Sequence, residues 1–149
     1  MKARDLMTPN PHVVTPEDPV SRAAEIMRDH DVGVVPVVDN PARMRLQGVI
    51  TDRDVAVRCT AAGHAPTCAV RDHMSAGRLD TVPPAADVRE VREVMKEDRV
   101  RRVMVTEGDR LVGVISQADL ARLDGPAEPV EVEKVLERLS EPVHPLVHA

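Results

Sequence analysis

The chain contains no phenylalanine, tyrosine or tryptophan. That absence removes the stacking platforms that hold single-stranded nucleic acids. Any flat heterocycle bound here must lie between aliphatic side chains and backbone. A basic excess is missing too: 20 Lys and Arg stand against 25 Asp and Glu, for a formal charge of −5. Nucleic acid binding needs a net basic face, so it is not expected. No apolar run approaches the roughly 18 residues that span a bilayer. The opening MKARDLMTPN lacks the apolar centre of a secretory signal. A cytoplasmic protein without membrane contact is the expectation. Cysteine is scarce, with only Cys59 and Cys68, nine residues apart.

What is present is a repeat. A hydrophobic content of 42% with 30% charged residues over 149 positions is that of a folded globular chain. Within it GVITDRDVA at 48–56 returns as GVISQADLA at 113–121. ARDLM at 3–7 returns as VRDHM at 70–74, and AAEIMRDHDVGVVPVVD at 23–39 aligns with VREVMKEDRVRRVMVTE at 91–107. The spacing shortens by three residues between Glu107 and Gly113 compared with Asp39 to Gly48. A length difference confined to one turn is what a surface loop tolerates.

Both copies give the same order of elements. In the first, VVTPED at 13–18 is extended, and its Thr-Pro is a candidate helix start with proline at the first helical position. Val20, Ala23, Ala24 and Met27 follow at helical spacing. VGVVPVV at 32–38 and MRLQGVIT at 44–51 are strands joined by the turn NPAR, and DRDVAVRCTAA is a helix stopped by Gly63. In the second, TV is extended, PPAADVREVREVMKED is helix, RVRRVMV and RLVGVIS are strands around EGD, and QADLARL is the closing helix. The expectation is an α+β fold of tandem β-α-β-β-α units, spanning 1–65 and 66–125, with a tail at 126–149. In that tail VEVEKVLERLS at 130–140 has one apolar face, suited to packing on the module or on another protein. A unit of about 60 residues buries too little surface to stand alone. Two copies packed about a pseudo-twofold axis place equivalent residues around shared clefts.

The chemistry concentrates in G-V-I-[TS]-x-x-D, with Thr51 and Asp54 in one copy and Ser116 and Asp119 in the other. One account is structural: a hydroxyl followed three residues later by an acid is a capping box. The other is functional. Free N–H groups at a helix N-terminus suit phosphate, the hydroxyl adds a donor, and the carboxylate can accept from a ribose diol.

These segments, with ARDLMT, VRDHMS, VGVVPVVD and VRRVMVTE, resemble those of tandem CBS-domain proteins, the Bateman module. The likeness covers roughly residues 1–124 and is nearest to small stand-alone bacterial members of the hypoxic-response type. The resemblance implies a non-enzymatic regulatory sensor that binds AMP, ADP or ATP in clefts between the units. It also implies a homodimer with an unidentified protein partner and no required cofactor. By it, Thr51 and Ser116 would touch phosphate, and Asp54 and Asp119 ribose. Two alternatives stay open: a stress-response or protein-interaction member whose clefts bind no nucleotide, and a sensor of S-adenosyl compounds.

The copies differ in charge. Arg101 and Arg102 align with Gly33 and Val34, and Arg53, a further candidate ligand-binding residue, has no basic counterpart in the second motif. In proteins of this type each pocket joins the motif of one unit to the strand of the other. The resemblance therefore assigns Arg101 or Arg102 to the Thr51 pocket and leaves the Ser116 pocket without a cation. An Arg–phosphate contact is worth about 1.5–3 kcal/mol, on the order of tenfold to a hundredfold in affinity. The alternative is that both arginines are solvated strand ends. Cys59 and Cys68, with His64 and His73 nearby, could bind metal, but their spacing matches no tight C-x-x-C chelate. Small linker residues are the plainer account, and no metal ligands are assigned. The six histidines form no Ser-His-Asp or Cys-His arrangement by spacing.

Overall fold

The computed structural model describes residues 1–125. The tail helix expected at 130–140 lies outside them. The first unit runs α1 (Ala3–Leu6), β1 (Thr8–Pro9), α2 (Val20–His30), β2 (Val34–Val38), β3 (Leu46–Thr51) and a π-helix over Asp54–Thr60. A 3₁₀ turn (Val70–Asp72) opens the second unit. It is followed by β4 (Thr81–Val82), α3 (Val88–Glu97), β5 (Arg102–Glu107), β6 (Arg110–Ser116) and α4 (Gln117–Leu123). The α+β expectation holds.

The two sheets are near-copies. One has the order β1-β6-β5-β4, with β4 parallel to β5 and the rest antiparallel. The other is the β2–β3 hairpin, which gains Val14 as a parallel bridge to Val37 and Ser75 as an antiparallel bridge to Val49. Ser75 thus does on β3 what β1 does on β6. Pro36 sits inside β2 at no cost in donors, since its carbonyl accepts from Val14 N–H and it has no N–H to satisfy.

The opening segments are exchanged between units. Ala3 N–H donates to Ala86 and is buried in the core of the second unit, with Val82, Val91, Val103 and Ile115. Val70 is buried in the core of the first unit, with Val14, Val35, Val37 and Ile50. This crossing explains the repeated glycines. A Cβ on Gly48 would stand 2.6 Å from the Ser75 carbonyl oxygen and 2.9 Å from Met74 Cε, and one on Gly113 would overlap the Met7 side chain. A third cluster, Val38, Met104 and Leu111, joins the two sheets. The hairpin ends meet through Leu46 N–H to Asp109 and Leu111 N–H to Met44, both at 2.8 Å.

Two helices begin later than their sequences suggest. Residues Thr15 to Asp18 form a turn in which the Asp18 carboxylate accepts from Thr15 N–H at 2.8 Å, and α2 starts at Val20 after Pro19. Pro19 disfavours helical backbone at the residue before it, so a helix starting at Pro16 cannot run through. In the second unit residues 83–87 form a turn, and Asp87 caps α3 by accepting from Arg89 N–H. The buried face of α2 is Val20, Ala23 and Ile26, while Ala24 and Met27 are half-buried. The helix expected from residue 52 is present but wound wider, with the Ala61 and His64 N–H groups reaching back to Ala56 and Cys59.

Candidate functional site

Each G-V-I-[TS]-x-x-D segment ends a strand and turns into a helix, and each forms a capping box. Asp54 Oδ2 accepts from Thr51 N–H at 2.9 Å, while Thr51 Oγ1 accepts from Asp54 N–H at 3.0 Å. Asp119 Oδ2 accepts from Ser116 N–H at 2.8 Å and from its hydroxyl at 2.7 Å, while Ser116 Oγ accepts from Asp119 N–H at 3.2 Å. The second oxygen of each acid faces an arginine one turn on, Arg58 at 3.6 Å and Arg122 at 3.2 Å. The structural account of the motif is therefore correct in both copies.

The crevice is nonetheless present. A cleft of about 610 Å³ takes Gly33, Val34, Val49, Thr51 and Asp52 from the first unit and Asp80, Arg101, Arg102, Met104 and Ser116 from the second. Its size falls in the roughly 300–1,000 Å³ range of small-molecule sites. The two corners are related by equivalent bonds: Asp52 N–H donates to the Gly33 carbonyl at 3.0 Å, and Gln117 N–H donates to the Arg101 carbonyl at 2.9 Å. In the strand ladders Val34 stands opposite Thr51 and Arg102 opposite Ser116.

Of the residues assigned from sequence, Thr51, Arg101, Arg102 and Ser116 line this cleft, whereas Arg53, Asp54 and Asp119 do not. Arg53 is exposed on the helix that leaves the cleft. The arginine-bearing and cation-free pockets expected from the sequence correspond to two corners of this space, the Thr51 corner and the Ser116 corner. Both corners open into one cleft, and the β5–β6 register sets Arg102 beside Ser116.

Folding adds residues that the motif does not name. Asp52, Ser75, Arg78 and Asp80 line the same space. The repeat carries a signal for two of them, because aligning MTPNPHV with MSAGRLD sets Arg78 opposite Pro11 and Asp80 opposite Val13. Burial, then hydrogen bonding with Asp98 and repulsion from it, pushes the Asp80 carboxyl above the usual range, against the pull of Arg78. Arg78 lies 4.0 Å from Asp98. Among the described residues neither Arg101 nor Arg102 forms an ion pair with a carboxylate. Guanidinium groups without a carboxylate partner are groups that can pair with an anion.

Folding also collects what linear spacing keeps apart: His64, Cys68 and His73 offer ligand atoms within 4.8 Å of one another. No helix among the described residues is long and apolar enough to cross a membrane.

The model of the CBS domain matches the chain twice, over residues 3–59 and 70–125. This chain belongs to the CBS-domain family. The tandem CBS pair is 37% identical over 120 residues to Hypoxic response protein 1 of Mycobacterium tuberculosis, covering 80% of this chain and 82% of that one. A crystal structure of Hypoxic Response Protein I with two coordinated zinc ions superposes with a TM-score of 0.73 at 35% identity, over 82% of this chain and 98% of the other. The fold is shared further with CBSX2, solved in complex with AMP, at a TM-score of 0.69 and 24% identity, over 83% and 95% of the two chains.

Proposed function

We propose that this CBS protein binds an adenosine nucleotide in the cleft between its units and that binding fixes how the units sit against each other. The observation that carries this reading is the convergence of Arg101, Arg102, Thr51 and Ser116 on one space walled by Val34, Val49, Leu79 and Met104. Two guanidinium groups with the Thr51 hydroxyl as a donor suit a phosphate, while the Ser116 hydroxyl donates to Asp119. Aliphatic walls suit a purine in a chain that has no aromatic ring of Phe, Tyr or Trp to stack on it. The AMP complex of CBSX2 bears on the fold, and the ligand class rests on the cleft's own chemistry.

Ribose is the demanding part. Asp54 and Asp119 each give Oδ2 to their own helix and turn Oδ1 towards an exposed arginine. Neither acid lines the cleft, so a diol reaches Oδ1 only by displacing the ion pair with Arg58 or Arg122, whose arginine side is exposed. That exchange leaves the cap intact. Because both units contribute walls, a ligand that touches both stabilises one relative orientation. A homodimer or a separate protein partner would then read that orientation.

A calorimetric melting panel tests this. AMP, ADP or ATP raises the transition temperature in a concentration-dependent way, while adenosine and S-adenosylmethionine do so less, since neither offers a phosphate to the arginines. Asp54→Asn separates a sensor from a purely structural motif. A sensor variant loses nucleotide affinity with a small loss of stability. If wild type shows no shift with any nucleotide, the proposal fails and the carboxylates are caps alone.

A further inference from the structure

We propose that His64, Cys68 and His73 form a binding site for a thiophilic divalent cation, with zinc the best fit to the donor set. The three residues come from two segments. His64 and Cys68 sit on the linker after Gly63, and His73 ends the 3₁₀ turn that carries the second unit's opening onto the first unit's core. Cys68 Sγ lies 3.9 Å from His64 Nδ1, and the two imidazole rings meet edge to face with centroids 5.1 Å apart. One ligand atom from each residue falls within 4.8 Å of the others.

The decisive observation is His73. Its side chain is 3% exposed, and its Nε2 is the one buried side-chain nitrogen or oxygen among the described residues with no hydrogen-bond partner. Buried polar groups are almost always paired, and an orphan calls for an explanation such as an absent ion. Tetrahedral zinc holds nitrogen and sulfur ligands about 3.3–3.6 Å from one another. The cluster needs to contract by about 1 Å, and its other two members, exposed His64 and half-buried Cys68, lie where they can move. The linker backbone is meanwhile held in place, since Val20 N–H donates to the Cys68 carbonyl at 2.8 Å and Ser21 N–H to the Pro66 carbonyl at 3.0 Å.

Two imidazoles and a thiolate select zinc-like ions over magnesium or calcium, which prefer oxygen. Three protein ligands leave a fourth position for water or an incoming group. Cys59 is not a member, as its thiol lies against the carbonyls of His64 and Ala65, both at 3.8 Å. Both cysteines are free thiols. A metal here would tie the linker to the crossing segment two residues before Ser75, which lines the nucleotide cleft.

Cobalt(II) titration of the full, reduced, metal-free chain tests the site. With no tyrosine or tryptophan the near ultraviolet is clear, so a thiolate-to-cobalt band is directly visible. The expected result is a band that saturates at about one ion per chain and is abolished by equimolar zinc. Cys68→Ser removes the band, and His64→Asn weakens cobalt binding by about 100-fold. Cys59→Ala keeps both band and affinity. The two linker variants decide the matter, because substituting buried His73 can unfold the protein. Absence of the band in wild type overturns the proposal. So does undiminished binding in both linker variants, or a band that depends on Cys59 rather than Cys68.

Discussion

The two repeats share a backbone and differ in chemistry. Helices α2 and α3 leave through left-handed residues at equivalent places, Asp31 at φ 52° and Arg99 at φ 53°, although neither is glycine. The paired glycines, the capping boxes and the strand-to-motif bonds also recur. Charge does not recur: Gly33 and Val34 become Arg101 and Arg102, while Pro11 and Val13 become Arg78 and Asp80. Geometry that both copies keep is what lets the halves close on each other. Residues that only the second copy carries are what give the common cleft its charge.

The strongest way to break the shared part is to fill the crossing. Gly48→Ala meets a backbone carbonyl that cannot step aside, and should cost about 3 kcal/mol by scanning calorimetry. Gly113→Ala meets the flexible Met7 side chain and should cost about half as much. Equal, negligible losses would mean that the crossing is not tight.

The part that differs is broken by charge removal. Arg101→Ala with Arg102→Ala should weaken AMP binding by about 10- to 100-fold while leaving adenosine nearly unchanged. Replacing Gly33 by arginine would sharpen the contrast by adding a cation to the other corner. Capping comes next: Asp54→Ala, which removes a buried carboxylate, should destabilise by about 2 kcal/mol, and Asp119→Ala, more exposed, by about 1 kcal/mol.

Asp80 gives a smaller, pH-dependent effect. Its folded carboxyl holds a proton more tightly than the unfolded one, because burial and Asp98 disfavour its charge. Stability therefore falls as pH rises from the ordinary carboxylate value to the raised one, and the penalty stays above that window. Asp80→Asn should flatten this slope in thermal melts and raise AMP affinity several-fold at neutral pH. Smallest is Arg99→Gly, which relieves a left-handed residue and should stabilise by up to about 1 kcal/mol. Asp31→Gly should gain less, since aspartate tolerates that conformation better.

Much of this was legible in the residues. The repeat carried the element order, the hairpins and the hydroxyl–acid pairs, because β-branched runs and a capping box are local signals. The helix starts were not legible from Thr-Pro alone, since Pro19 and the Asp18 turn compete with it. The exchange of opening segments was hidden in the meaning of Gly48 and Gly113, which shows only when Met74 and Met7 cross them. The Arg102–Ser116 pairing follows from the register of the β5–β6 hairpin. The His64–Cys68–His73 cluster depends instead on how the linker folds back on itself, to which linear spacing is blind.

Titration calorimetry of AMP into wild type and into the Arg101→Ala/Arg102→Ala double variant, with adenosine as the phosphate-free control, tests the central claim most directly. The account predicts saturable AMP binding in wild type that drops by at least about tenfold in the variant, with adenosine weak and alike in both. No heat from AMP in wild type, or equal AMP affinity in the two proteins, would contradict it.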